Sequence, residues 1–364
     1  MLFEMIFGGV VLVYIIQMFI FYLGTKKRFP VLEEKDLPTA SVIVAARNEE
    51  DAIIRCLEGL EKLEYPENKL QIILVDDKST DKTYELIKNF IEGKPRFLLI
   101  QSGTEHGDLK GKTNALANGL DVATGEIIFT TDADCVPHPK WAKTIASYYT
   151  EGVGVVNGFT AQVSDSNFTG MQHLDFIMLL SVAAGTINYQ WPMSCIGNNM
   201  SYLRKAYDEV GGYENLPFSI TEDSNLLLAI DRLKKYKLVY PVLKESVVMS
   251  LPCYDWKTLI RQKRRWGIGG LNSPVKGFIV MSFGFLAHLG LFISPFFFSP
   301  LTIGIILTKI FTDFLFLFGT LKRLGLVSTL KYFLAFEIYY TLYVFLLPFF
   351  VIPSQQVVWK ERKF

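Results

Sequence analysis

Residues 127–134 read Ile127-Ile128-Phe129-Thr130-Thr131-Asp132-Ala133-Asp134, an apolar run that ends in two carboxylates one residue apart. An apolar run of this length predicts a buried strand, and function in open α/β sheets gathers at the carboxyl ends of strands. If the chain leaves the strand at Thr131, Asp132 and Asp134 stand at such an end. Hard divalent cations take oxygen ligands, and Mg²⁺ uses one or two carboxylates together with substrate phosphates. The pair therefore suits a metal that neutralises a diphosphate leaving group. Taken alone, an Asp-x-Asp pair fits a solvated turn more often than a metal site, so its neighbours must decide.

Working outward, residues 40–270 have soluble composition. Short β-type runs fall at 40–45, 71–75, 96–101 and 126–130. Between the first two, residues 48–63 carry Ile53, Ile54, Leu57 and Leu60 at helical spacing, and 81–91 carry Leu86, Ile87 and Phe90 on one face. Strands alternating with helices imply a mainly parallel sheet. No repeat or low-complexity stretch interrupts the pattern, and 102–111 reads as a polar, Gly-rich loop.

The other strand ends carry polar clusters too. The first ends in Ala46-Arg47-Asn48-Glu49-Glu50 and the second in Asp76-Asp77-Lys78-Ser79-Thr80-Asp81. Capping by Ser79 or Thr80, with Asp81 in the first turn, explains the end of the second cluster. It leaves Asp76 and Asp77 unexplained, and two adjacent acids on a strand end suit hydroxyl or ring N–H groups such as those of a ribose and a base. Lys110-Gly111-Lys112-Thr113 opens another helix and resembles a phosphate-binding loop only superficially, because position 106 is His where the full motif needs Gly. That excludes a nucleotide-hydrolase loop and leaves Lys112 available to a nucleotide. Further on, Thr221-Glu222-Asp223 precedes an apolar helical stretch, with Thr221 as the expected cap. Residues 256–266 contain Gln262-Lys263-Arg264-Arg265-Trp266 just before a long apolar region; by themselves they read as an interfacial helix.

The chain has 364 residues, half of them hydrophobic, with 37 basic and 36 acidic side chains, so nothing points to a nucleic-acid partner. Residues 6–23 are apolar apart from Gln17, enough for a bilayer span of about 20 residues. A secretory signal is the weaker reading, because no basic residue precedes the run; Lys26, Lys27 and Arg28 follow it instead. Positive charge stays in the cytoplasm, which puts residue 30 onward inside. No formal charge occurs between Lys276 and Lys309, and spans are expected near 277–297, 299–320 and 330–352. Lys322 and Arg323 read as a cytoplasmic loop. A third span then places Lys360, Arg362 and Lys363 outside, against the positive-inside tendency, and a broken or re-entrant segment at Pro348 and Pro353 is the alternative. The four cysteines have no metal-type spacing and are expected as reduced thiols. His106, His138 and His173 read as ordinary residues, and His288 as a span residue facing protein.

Taken in order, Asp76-Asp77, Asp132-x-Asp134, Thr221-Glu222-Asp223 and Gln262-x-x-Arg265-Trp266 resemble the signatures of the membrane-bound members of glycosyltransferase family two, and the resemblance covers nearly the whole chain. It implies an α/β GT-A fold, Rossmann-like with a mainly parallel sheet, plus α-helical membrane segments. The implied layout is an anchor at 1–29, a cytoplasmic glycosyltransferase domain at 30–250, an interfacial helix region at 251–275 and about three membrane helices with a tail at 276–364. The implied location is the cell (inner) membrane, multi-pass. The implied donor-binding residues are Glu49, Asp76, Asp77, Lys112, Asp132, Gln262, Arg265 and Trp266, with Arg264 as a helper. Asp132 and Asp134 would hold Mg²⁺ or Mn²⁺, Asp223 beside Glu222 would be catalytic as the general base, and Gly197, Asn198 and Trp266 would meet the acceptor. Residues 194–199 are not the cellulose-synthase version of the acceptor loop, which leaves the acceptor open between a membrane lipid and a growing glycan.

Sugar transfer passes through an oxocarbenium-like centre, and one displacement with Asp223 taking the acceptor proton inverts the configuration. The expected activity is transfer from a nucleotide sugar, UDP-linked by preference, to a lipid. The alternative is a processive polysaccharide synthase, disfavoured because three C-terminal spans are few to enclose a channel. A membrane transporter is the non-enzymatic alternative. Lys309 and Asp313 at helical i,i+4 spacing and Glu337 in the next span would serve it, although a self-neutralising Lys–Asp pair is the preferred reading.

Overall fold

The computed structural model describes residues 1–217, 219, 221–271 and 273–351, and the backbone of 358–359 and 362–363. Two compact units emerge: Lys27–Ala161 with Ile187–Leu251, and Met1–Lys26 with Gln162–Thr186 and Pro252–Phe364. The segment Gln162–Thr186 lies inside the range 30–250 expected for one domain, yet it groups with the terminal helices.

The first unit is built on strands β1 (Ala40–Ala46), β2 (Leu70–Asp76), β3 (Phe97–Gln101), β4 (Ile127–Asp132), β5 (Val136–Pro137), β6 (Val153–Asn157), β7 (Thr160–Gln162), β8 (Met200–Leu203), β9 (Lys237–Val239) and β10 (Val248–Ser250). Seven form one sheet in the order β3-β2-β1-β4-β8-β6-β9. The pairs β2–β3, β1–β2, β1–β4 and β6–β9 are parallel, and β8 runs against both its neighbours. A mainly parallel sheet is thus what the alternating pattern predicted. Val42, Val44, Ile72, Leu74 and Phe129 are wholly buried in its core; such side chains each contribute about 1.5–3 kcal/mol. The strand ahead of the carboxylate pair includes Asp132, one residue beyond the expected exit at Thr131.

The long apolar helix of the second unit is α1 (Leu2–Thr25). The helices α2 (Ile53–Glu61), α3 (Thr83–Ile91), α4 (Lys112–Asp121) and α5 (Trp141–Ala146) belong to the α/β unit, as do α7 (Arg204–Glu209) and α8 (Glu222–Arg232), while α6 (Asn167–Ile187) belongs mostly to the other. The expected helix 48–63 begins late because Asn48 is left-handed (φ 50°) and the chain turns before Ile53. Neither Ser79 nor Thr80 caps α3. The cap position is Lys82, without a side-chain cap bond, and Asp81 just before it accepts through Oδ1 from the Thr83 amide at 2.9 Å, while the Ser79 hydroxyl accepts from the Asn48 amide and the Thr80 amide donates to Asn48 Oδ1. Thr221 occupies the cap position of α8 without a side-chain cap bond.

The helical unit adds α9 (Trp256–Gly270), α10 (Val275–Ile293), α11 (Pro300–Leu324) and α12 (Phe333–Val351). Five helices are long and apolar enough to cross a bilayer, by length and composition: Leu2–Thr25, Asn167–Ile187, Val275–Phe296, Pro300–Leu324 and Val327–Val351. The last three match the expected C-terminal spans. Pro348 lies inside α12, which runs on to Val351, so the helix is not broken there; Pro353 and Lys360 fall outside the described residues.

The sequence reading missed α6. It is 89% buried over its apolar window, against 28% or less for the other four. Its polar residues have protein partners: Gln172 donates to Cys253 O and accepts from the Cys253 amide, and Asp175 pairs with Lys263. Gly24 of α1 and Gly185 of α6 meet backbone to backbone, where a Cβ on either would collide. All four cysteines are free thiols.

Candidate active site

The sheet register sets the site. Ala46 on β1 is opposite Asp76 on β2, and Ala45 is opposite Asp132 on β4. The acids therefore flank one strand at the same edge, about 10 Å apart for strands about 4.8 Å from their neighbours. Asp76 and Asp77 are buried. Asp77 Oδ1 accepts from the Ser102 hydroxyl at 2.9 Å and Asp76 Oδ1 from the Ser79 amide at 3.4 Å, while Asp76 Oδ2 has no hydrogen-bond partner. A buried carboxylate oxygen without a donor is costly, and a ligand hydroxyl or N–H group would satisfy it. The nearby turn is braced by Arg47, which donates to the carbonyls of Asp77 and Lys78, and by the Glu49 amide, which donates to the Thr83 hydroxyl.

Across β1, Asp132, Asp134 and Cys135 bring one possible ligand atom each within 4.8 Å of one another. Burial, then the neighbouring Asp132 charge, holds the Asp134 carboxyl above its usual range. Two carboxylates crowded at a half-buried strand end fit a hard divalent cation. The Cys135 thiol donates to Asp134 Oδ1 at 3.3 Å, a contact that no spacing signalled.

Lys112, first residue of α4, reaches into this group. Its Nζ is 2.7 Å from Asp132 Oδ1 and 3.3 Å from Glu222 Oε1. Burial pulls its pKa down, but Asp132, Glu222 and Asp223 outweigh that and raise it. A lysine expected at a nucleotide thus also neutralises the metal-type carboxylate and the start of α8. The turn into α4 uses Gly111 at φ 58°, which favours glycine.

Asp223 follows Glu222 in the first turn of α8. Its carboxyl is pushed up to about 7, by burial first and by the Glu222 charge second, against the Ser224 amide, Lys112 and the Gly197 amide. The Ser224 amide donates to its Oδ1 at 2.7 Å. Gly197 fits tightly here: a Cβ would stand 3.1 Å from Asp223 Oδ2. The Thr130 hydroxyl, on β4, donates to Gly197 O at 2.6 Å and so pins this loop to the strand that carries Asp132. Sequence reasoning treated Thr130 only as a strand residue.

Asn198, expected at an acceptor, lies on the same loop. It is buried and its Oδ1 accepts from the Thr160 hydroxyl at 2.7 Å, so that oxygen holds the loop in place. Asn199 does the same through Trp141 Nε1, Phe159 O and Ser246 O.

Gln262, Arg265 and Trp266 lie on α9, in the helical unit. Trp266 stacks on Phe176 of α6 with centroids 5.3 Å apart, and Lys263 Nζ sits 4.4 Å over the Trp266 ring while pairing with Asp175. Arg264 Nε donates to Phe350 O at 3.1 Å. Among the described residues no ion pair of Arg265 is seen.

Comparisons with known proteins bear on the family and the fold. Residues 41–211 match the model of Glycosyl transferase family 2, and residues 127–353, more than half the chain, match Glycosyl transferase family group 2. A probable glycosyltransferase of Bacillus subtilis, YdaM, is 26% identical over 313 residues, covering 82% of this chain and 69% of the relative. A beta-monoglucosyldiacylglycerol synthase of Nostoc sp. is 27% identical over 242 residues, 64% of this chain. The chain spans about half the length of that synthase (49%). Among solved structures, a mannosyltransferase from Pyrobaculum calidifontis in complex with GDP-Man and Mn²⁺ shares the fold at TM-score 0.58 and 18% identity, covering 93% of this chain and 98% of that one. The chain belongs to Glycosyl transferase family group 2 and is a glycosyltransferase with the GT-A fold.

Proposed function

We propose that this glycosyltransferase moves one sugar at a time from a nucleotide sugar to a membrane lipid, with inversion at the anomeric carbon. The observation that carries the reading is the cluster at the end of β4. Asp132 and Glu222 share the Lys112 ammonium, and Asp223 beside them has a carboxyl poised at about 7. A base with that affinity is about half ionised at neutral pH and basic enough to take a hydroxyl proton. Asp223 accepts the acceptor proton as the hydroxyl oxygen bonds to the anomeric carbon, and the bond to the nucleoside diphosphate breaks on the opposite face.

Asp76 and Asp77 bind the nucleoside, with Glu49 on the adjoining turn. Asp132 and Asp134 hold Mg²⁺ or Mn²⁺, which when bound supplies positive charge to the leaving diphosphate. Lys112 balances the remaining carboxylates, and Gln262 and Arg265 engage the diphosphate. Gly197 leaves room for the acceptor hydroxyl beside Asp223.

The lipid assignment rests on the helical unit. Ile6, Leu12 and Phe19 on α1, Leu307 and Phe311 on α11, and Leu334 and Ile338 on α12 are exposed. An outward apolar surface of this extent suits a bilayer. The synthase relative named for glucosyldiacylglycerol agrees with a lipid acceptor. On this reading 30–161 and 187–251 face the cytoplasm, following Lys26, Lys27 and Arg28.

The test is incubation of the protein in membranes with radiolabelled UDP- and GDP-sugars and Mg²⁺ or Mn²⁺, followed by lipid extraction. The expected product is a lipid carrying one labelled sugar. Label confined to a polymer supports the processive alternative, and no transfer from any nucleotide sugar overturns the proposal.

A further inference from the structure

The helical unit contains a buried polar cluster that sugar transfer does not use. Lys309 and Asp313, one turn apart on α11, are wholly buried, and His288 of α10 and Glu337 of α12 are nearly so. Lys309 Nζ lies 2.6 Å from Asp313 Oδ2, 3.1 Å from Glu337 Oε2 and 3.0 Å from His288 Nε2. Tyr14 of α1 donates to Asp313 Oδ1 at 2.7 Å. Tyr340 of α12 closes the group, its ring 5.9 Å from Lys309 Nζ and edge-on to His288 at 4.8 Å.

The protons can be counted. His288 Nδ1 is 2.7 Å from Gly284 O, which only accepts, so Nδ1 carries hydrogen. One hydrogen then lies between His288 Nε2 and Lys309 Nζ, so this pair carries a single positive charge. Two carboxylates face it. With both ionised, the cluster holds one uncompensated negative charge among packed helices, a costly state. The shortfall falls on Glu337. Asp313 Oδ1 accepts from the Tyr14 hydroxyl, and Asp313 Oδ2, which like Glu337 Oε1 has no hydrogen-bond partner, has the closer ammonium contact; Glu337 holds only the longer ammonium contact, through Oε2. Glu337 is also the acid that is not fully enclosed: its side chain is 7% exposed, and those of Lys309 and Asp313 are 0% exposed.

We propose that Glu337 is a proton-binding site, holding one exchangeable proton that neutralises the cluster. The ligand is a proton taken up from solvent. Binding converts the carboxylate to a carboxylic acid and completes a balanced group of one cation, one anion and one neutral acid. The sugar-transfer chemistry neither supplies nor consumes this proton, so the site stands apart from the proposed function.

Infrared spectroscopy of the full chain in lipid nanodiscs tests it, in an Asp134→Asn, Asp223→Asn background that removes the two carboxyls raised by burial at the sugar-transfer site. At neutral pH a protonated-carboxyl C=O band that shifts in D₂O is expected, and it should vanish on adding Glu337→Gln. Glutamine copies the shape and neutrality of the protonated acid, so its unfolding temperature should stay within a degree or two of the parent, whereas Lys309→Met should lower it clearly. Absence of the band in the parent, its survival in Glu337→Gln, or loss of stability or folding in Glu337→Gln comparable to Lys309→Met would overturn the proposal and leave an ionised structural triad.

Discussion

Lys112 and Asp132 are separated by 20 positions in the chain, yet Lys112 Nζ lies 2.7 Å from Asp132 Oδ1. The same ammonium contacts Glu222 and lowers the proton affinity of Asp223. It therefore links the metal-type pair to the proposed base. Lys112→Met should move the acid limb of the kcat/KM pH profile upward from about 7, by about one pH unit, since one neighbouring charge shifts a carboxyl on that scale. Lys112→Arg keeps the charge and should leave the limb near its original position. A limb unmoved in Lys112→Met would separate Lys112 from the base.

Glu222 acts in the opposite sense. Its charge is the second cause of the raised Asp223 carboxyl, so Glu222→Gln should shift the acid limb downward. The comparison with Lys112→Met is internal to one assay: the two substitutions must move the profile in opposite directions, and movement in the same direction would contradict the electrostatic arrangement.

Asp223→Asn should lower kcat by about 10²–10⁴-fold while retaining donor binding. It should also stabilise the fold. Asp223 has a carboxyl raised from 3.8 to about 7 on folding, so its stabilising contribution is full below about pH 4 and is lost as pH rises through about 7. At pH 8 the variant should be more stable by on the order of 2 kcal/mol, after discounting for partial exposure, and the difference should vanish near pH 4. Urea melts at the two pH values check this, and a variant less stable than the wild type at pH 8 would contradict it.

Chelation should abolish transfer, and Mn²⁺ or Mg²⁺ should restore it. Asp134→Ala should prevent that restoration by removing one of two adjacent oxygen ligands. Isothermal titration of nucleoside diphosphate with and without Mn²⁺ separates the effects: the metal-dependent part of binding should disappear in Asp134→Ala. Turnover near wild type would remove the metal assignment.

The strand-end acids were legible because an apolar run and the charge that stops it are adjacent in sequence. β4 and Asp132 need only each other to be recognised. The links among acids were not legible. Thr130 meets Gly197 at the turn into β8, which runs back antiparallel beside β4, and Lys112 of α4 meets Glu222 of α8 from a distant part of the chain; local periodicity carries no trace of either. Helix α6 escaped for a different reason: Gln172, His173 and Asp175 dilute its apolar character, and burial within protein tolerates them once Cys253, Gln162 and Lys263 supply partners. Asn48 delayed α2 because one left-handed residue outweighs helical spacing behind it. The polar group around Lys309 was half visible, as an i,i+4 pair, but His288 and Tyr14 join it from other helices.

The motif on α9 divides into anchors and one candidate clamp. Trp266 stacks on Phe176, Lys263 pairs with Asp175, and Arg264 donates to Phe350 O, so all three are engaged within the helical unit. Arg265 shows no ion pair among the described residues, which leaves its guanidinium for a diphosphate. The substitutions follow from that division. Trp266→Phe retains an aromatic stack and should retain most activity, whereas Trp266→Ala should lower stability, by less than the about 3–5 kcal/mol of a fully buried tryptophan because the ring is only partly buried. Arg265→Lys preserves the charge but loses the planar fork that binds phosphate through two parallel hydrogen bonds. It should insert and fold like the wild type, raise the KM for the nucleotide sugar and lose at least 10-fold in kcat/KM, the scale of a charge-assisted hydrogen bond. Unchanged kinetics in Arg265→Lys would make Arg265 an anchor like its neighbours.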